Sequence, residues 1–287
     1  GAEVDPGKPY AELWMGTHPS GPSKIAGSGQ LLSEHLRAHP AALGERVRAK
    51  FGADLPFLFK VLSVETALSI QAHPDKALAQ RLHAERPAVY KDGNHKPEMA
   101  LALTEFEAMC GFVTAAELRA AIEGTPELAE CLGEAAAPVV AGLGGGDAAA
   151  QEAALKESFS VVMKADKGAV GALLAKMVDR LRGTEARGPK DELALRLHAQ
   201  YPGDVGVFAA YFLNFMRLQP GQAIYLPANE PHAYVSGNIV EAMATSDNVV
   251  RAGLTPKVRR RRGGLGQHQH QHHQHQHQHQ HQHQHQH

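Results

Sequence analysis

Between residues 113 and about 200 the chain turns to Ala, Leu, Glu and Lys, while the segments on either side carry short apolar runs bounded by Pro and Gly. That interruption constrains the fold more than any other feature. Thr114-Ala115-Ala116-Glu117 has the spacing of a capping box, and Val170, Leu173, Leu174, Met177, Val178 and Leu181 recur at the helical period, so the block is expected to be helical. Ala141 to Gly146 reads as a flexible break within it. The run Leu55 to Leu62 is short and framed by turn formers, as a buried strand would be, and Leu68 to His73 alternates as a strand with two unlike faces. Leu218-Gln219-Pro220-Gly221 is a turn, Gln222 to Leu226 a strand, Pro227 to Pro231 a second turn, and β-like runs continue through Val250. The simplest assembly is a mainly β domain, residues 1–112 and 202–258, interrupted by a helical insertion at 113–201, with the two β segments joining in space.

Composition narrows what such a domain can do. Hydrophobic residues make up 43% of 287, enough for a real core, and the formal charge of −1 provides no global field toward nucleic acid or an anionic membrane. An anionic substrate must therefore be gripped by locally placed Lys or Arg. Cys110 and Cys131 are too few for a disulfide framework and fit a reducing compartment as buried filler. With no apolar leader and no stretch of about 18 apolar residues, a soluble cytoplasmic protein is expected, with neither nucleic-acid nor membrane partners. A chain beginning with Gly rather than Met also suggests a fragment. Residues 259–287 stand apart: Arg259 to Arg262, a Gly-rich step, then Gln-His alternation holding eleven of the nineteen histidines. Lacking apolar residues beyond Leu265, this tail is expected to be disordered and to hold metal at most loosely. Gly142 to Gly146 lacks the Gly-Lys-Ser/Thr end of a phosphate loop and is read as a linker.

In a strand, Ser69, Gln71 and His73 would share one face. Lys96 and Glu98 repeat that spacing around Pro97, and His232 follows the Pro227–Pro231 turn. An amide oxygen, a carboxylate and two imidazoles form a set suited to zinc or a similar divalent ion, although spacing alone does not assemble Gln71, His73, Glu98 and His232 into one site. The segment Gly221-x5-Pro227-x4-His232 resembles the second metal-binding motif of cupin β-barrels, which implies a cupin-type β jelly roll more strongly than any one reaction.

Longer runs carry a closer resemblance. Pro9-Tyr10-Ala11-Glu12-Leu13-Trp14-Met15-Gly16-Thr17-His18-Pro19, Phe57 to Ser63, Leu68-Ser69-Ile70-Gln71-Ala72-His73-Pro74 and Asn94-His95-Lys96-Pro97-Glu98-Met99 are similar to type I phosphomannose isomerases. So are Pro231-His232-Ala233-Tyr234, Glu241, Ser246-Asp247-Asn248 and Arg251 to Lys257, in the same order. The resemblance implies one zinc ion per chain on Gln71, His73, Glu98 and His232. It implies substrate contacts at Ser69, Lys60, Lys96 and Arg251, and catalytic roles among Arg251, Lys96, Glu241 and Asp247. The implied reaction interconverts mannose 6-phosphate and fructose 6-phosphate, so the implied partner is a small sugar phosphate, and a monomer is expected. A chain of that family would begin earlier and continue past Lys257 into a second β jelly roll, so truncation at both ends is expected. Against an active isomerase stand two other readings: a catalytically inactive metal- or sugar-phosphate-binding cupin fragment, and an iron-dependent cupin oxygenase. The oxygenase is disfavoured because a Gln-His-Glu-His set departs from two His and one carboxylate.

Overall fold

The computed structural model describes Gly7 and residues 10–255; the expectations placed on Pro9, on Lys257 and on residues 259–287 fall outside the described residues. The chain forms two compact units that divide between Leu62 and Ser63. In the first, β1 (Glu12–Met15) pairs antiparallel with residues 59–62 of β2 (Phe57–Val64), whose last two residues belong to the second unit, with α1 (Leu32–Ala38) and α2 (Glu45–Phe51) between them in sequence. The strand expected at 55–62 begins and ends two residues later, and Leu58, Lys60, Leu62 and Val64 form its buried side.

The second unit begins with β3 (Ile70–Ala72), α3 (Lys76–Glu85), β4 (Glu98–Ala102) and β5 (Phe106–Phe112). Its helices are α4 (Ala115–Gly124), α5 (Pro126–Leu132), α6 (Ala136–Gly144), α7 (Ala148–Lys164), α8 (Lys167–Arg182), α9 (Pro189–Gln200) and α10 (Ala209–Phe212). Four strands complete it: β6 (Leu213–Leu218), β7 (Ala223–Leu226), β8 (His232–Ala244) and β9 (Val250–Gly253). The 13-residue β8 is the hub, pairing antiparallel with β3, β4 and β5, and β9, β7 and β6 extend those three in turn. Within this unit the two β segments do join in space.

Midway along β8 the backbone passes through the left-handed region at Gly237. There φ is 107°, and a Cβ would fall 2.3 Å from the Glu105 carbonyl oxygen, so only glycine fits. Before Gly237 β8 is buried on both faces: Ala233 and Val235 belong to the apolar core, while His232 and Tyr234 point the other way. Beyond it, Ile239, Glu241 and Met243 are the buried positions, so burial passes from both faces of the strand to one.

The helices pack against the Ala233/Val235 face of β8. Their apolar stripes bury Leu118, Ile122, Leu174, Met177 and Leu197 in one cluster with Met109, Ala233 and Val235 from the sheet. On α8 the expected face is observed, with Leu173 partly rather than fully buried. The Thr114 capping box forms as its spacing implies: Glu117 N–H donates to Thr114 Oγ1 at 3.2 Å, and Thr114 N–H to Glu117 Oε2 at 2.9 Å. Asp166 caps α8 through two backbone N–H groups.

Three local expectations need correction. The glycine-rich stretch is not a break from Ala141 onward: α6 continues through Gly144, and α7 starts at Ala148 behind the Asp147 cap. Gly142 serves packing there, since a Cβ on it would lie 2.9 Å from the Ala154 Cβ on α7. Helical structure also persists beyond 202, through a 3-10 turn at Val205–Phe208 and α10, where complete burial of Val207 to Phe212 overrides strand propensity. The strand expected over 68–73 is only Ile70–Ala72, because Pro74 has no N–H to offer the ladder and Asp75 already caps α3. No helix among the described residues is long and apolar enough to cross a membrane.

Candidate metal centre

Short pairings bring the ligand candidates together. Gln71 lies opposite His232 on β8 and opposite Arg251 on β9, and directly opposed residues of antiparallel strands share a face. His73 follows β3, Glu98 opens β4 and His232 opens β8, so each sits where a strand meets a loop. All three are buried, at 2%, 4% and 3% exposure, and they offer one ligand atom apiece within 4.8 Å of one another. His73 Nε2 is 3.3 Å from Glu98 Oε1 and His232 Nε2 is 3.3 Å from Glu98 Oε2.

Hydrogen bonds fix which nitrogen faces inward. His73 Nδ1 lies 2.7 Å from the Asn248 carbonyl oxygen and His232 Nδ1 3.0 Å from that of Glu230. A carbonyl can only accept, so both Nδ1 atoms carry the proton. Burial lowers the His73 pKa, outweighing the raising effect of Glu98, and keeps that ring neutral with a lone pair on Nε2. This buried Nε2 finds no hydrogen-bond partner among the described residues. For Glu98, burial alone would raise the pKa, but the Lys96 charge, followed by the two imidazoles beside it, holds it well below the usual carboxylate range. A neutral imidazole lone pair aimed at a carboxylate oxygen is unfavourable by itself. A divalent cation between them turns the same geometry into coordination, so the residues present fit a metal of the zinc type, with the Gln71 amide on the same face.

Of the remaining sequence-nominated residues, Lys96, Ser69, Arg251 and Glu241 lie beside this group. Lys96 Nζ pairs with Glu98 Oε1 at 2.8 Å. Arg251 donates through a short hydrogen bond to Ser69 Oγ, so those two act as one element beside Gln71. Glu241 lies opposite Ala100, two residues from Glu98 on the same face of β4, and accepts from the buried Tyr234 hydroxyl at 2.7 Å. Asp247 is exposed, and its backbone N–H donates to Asp92. Lys60 belongs to the other compact unit, where its Nζ is 3.5 Å from Glu12 Oε2 and 4.3 Å from the Trp14 ring centroid. Tyr234, Asp92 and Asn248 received no sequence-based role. Tyr234 and Asn248 stand inside the runs that carry the family resemblance, whereas Asp92 gives no comparable signal.

Comparison with known proteins decides the family. Residues 2–115 match phosphomannose isomerase type I, catalytic domain, and residues 132–213 match its helical insertion domain, together well over half of the chain. Mannose-6-phosphate isomerase 1 of Arabidopsis thaliana is 49% identical over 262 residues, and the Homo sapiens mannose-6-phosphate isomerase is 48% identical over 264. Each alignment takes in 89% of this chain. The chain belongs to the type I phosphomannose isomerase family. It spans 61% and 62% of the lengths of those two relatives. Among solved structures, a mutant of phosphomannose isomerase from Salmonella typhimurium superposes with a TM-score of 0.79 at 35% identity, over 89% of this chain and 65% of that one. A zinc-bound mannose 6-phosphate isomerase superposes with a TM-score of 0.76 at 35% identity, over 88% and 64%. The architecture is thus the family's cupin-type sheet with a helical insertion.

Proposed function

We propose that this phosphomannose isomerase family member is a zinc-dependent aldose–ketose isomerase interconverting mannose 6-phosphate and fructose 6-phosphate. The observation that carries the reading is the buried His73–Glu98–His232 group, whose inward lone pairs fit a divalent ion. The named relatives and the zinc-bound neighbour support the same choice.

Gln71, His73, Glu98 and His232 would hold one zinc ion per chain. Bound zinc supplies Lewis acidity toward a sugar oxygen. The chain's own residues supply the rest. Isomerisation moves a proton from one carbon to its neighbour through a cis-enediol, which needs a group able to take and return it. Lys96, Glu241 and Asp247 are the candidates. Arg251, fixed against Ser69, directs a permanent positive charge toward the phosphate or the developing enediolate, and Lys96 and Lys60 share the anionic load. We further propose that residues 1–112 and 202–258 act as the catalytic domain around the 113–201 insertion. On this reading the protein is a cytoplasmic monomer serving the GDP-mannose precursor supply.

Purified chain should convert mannose 6-phosphate to fructose 6-phosphate, lose that activity to a chelator and regain it with zinc. A folded, metal-loaded chain without turnover defeats the proposal.

A further inference from the structure

We propose that Asp92 is a positioning residue for the metal centre, acting through the 246–248 loop to hold the Asn248 carbonyl against His73 Nδ1. The inference rests on the metal-binding reading above. Asp92 touches none of the candidate ligands, yet its carboxylate gathers four donors. Oδ1 accepts from Asn94 N–H at 2.9 Å, the Ser246 hydroxyl at 2.9 Å and the Asn248 side-chain amide at 3.2 Å. Oδ2 accepts from Asp247 N–H at 3.1 Å. The loop is cross-braced as well: Asn248 N–H donates to Ser246 Oγ at 3.1 Å, and its side-chain amide donates to the backbone carbonyls of Asp92 and Asn94 at 2.7 and 3.0 Å.

What leaves this knot is one carbonyl. Asn248 O accepts from His73 Nδ1–H at 2.7 Å in a buried setting. That bond selects the tautomer and ring orientation that face Nε2 toward Glu98. The 92–94 segment also leads directly into Lys96 and Glu98, so one carboxylate ties the approach to β4 to the loop that orients His73. Outer groups that orient a metal-bound histidine typically change metal affinity by about 10–100-fold when removed.

The test is zinc affinity of the full chain, measured by competition with a chromophoric chelator, alongside the melting temperature of each metal-free variant. Asp92→Asn keeps size and shape but replaces one acceptor oxygen with a donor. It should weaken zinc about 10–100-fold and change the visible spectrum of the cobalt-substituted site. Glu127→Gln, which cuts the buried Arg180 pair between α5 and α8, serves as a control: it should lower the melting temperature and leave zinc affinity alone. Should Asp92→Asn fail to fold, Ser246→Ala removes a single hydroxyl from the same knot and should weaken zinc about 10-fold, at the lower end of that range. Zinc affinity within about twofold of the parent in the folded variant overturns the positioning role and leaves the metal site standing. If the parent chain binds no zinc at this group, the metal reading and this inference both fall.

Discussion

The helices from Ala115 to Gln200 bury Leu118, Ile122, Leu174 and Leu197 among other apolar side chains, whereas buried His73, Glu98 and His232 sit at the ends of β3, β4 and β8, with buried Glu241 farther along β8. Apolar burial stabilises by about 25 cal/mol per Å² removed from water. Polar burial costs free energy unless every group finds a partner, and an ionised carboxylate costs most of all. The two regions share β8, which turns Ala233 and Val235 to the core and His232 and Tyr234 to the site. The difference teaches a division of labour: the helical side supplies stability, and the strand ends use that rigidity to hold a polar group that would not assemble by itself. If so, variants on one side should spare the property that belongs to the other.

The largest effect is expected at the site. His73→Ala should reduce isomerase turnover and zinc affinity by at least about 100-fold, beyond the usual loss for an outer partner, with a far-ultraviolet circular dichroism spectrum like the parent's. Collapse of the fold would show that the two sides are not separable. Leu174→Ala, at a fully buried position of α8, should cost about 2–5 kcal/mol in denaturant unfolding, while the folded fraction binds zinc with unchanged affinity. A parallel loss of affinity would break the comparison from the other direction.

Glu107 sharpens the boundary, because it joins the two regions. Its carboxylate on β5 accepts from Arg196 of α9 at 2.6 Å, Arg217 of β6 at 2.9 Å and Ser236 of β8 at 2.8 Å. Burial pushes its pKa up, but those three donors and the Arg196 charge outweigh burial and leave it below the ordinary value. A depressed folded pKa stabilises the protein above the unfolded value and loses that contribution as pH falls through the folded one. Glu107→Gln should therefore cost about 1–3 kcal/mol at neutral pH, with the parent and variant unfolding curves converging as pH falls through the lowered folded pKa. Equal destabilisation at every pH would remove charge from the explanation. The smallest effect belongs to Thr114→Ala, which breaks the capping box of α4 and should cost about 1 kcal/mol by chemical denaturation, with zinc affinity untouched.

The two regions also differ in how legible they were. Helices announce themselves locally: the Thr114–Glu117 spacing and the Val170–Leu181 stripe each sit within a few turns and need no distant partner. Even so, the glycine stretch misled, because Gly142 reflects close helix packing against Ala154 that no local pattern encodes. The site depends on pairings across long separations, such as Gln71 with His232, and strand period alone could nominate those residues without joining them. Resemblance to a known family supplied the joining. Asp92 escaped notice because its role exists only through folded contacts with residues more than 150 positions away, and neither composition nor period records such a contact.

The central claim is that His73, Glu98 and His232 meet around one divalent ion, with Gln71 beside them. A crystal of the zinc-soaked full chain, measured on both sides of the zinc absorption edge, tests it most directly. The account predicts one anomalous peak about 2.0–2.2 Å from His73 Nε2, His232 Nε2 and a Glu98 oxygen. A metal found only along the C-terminal Gln-His run, with nothing between those three side chains, would contradict it.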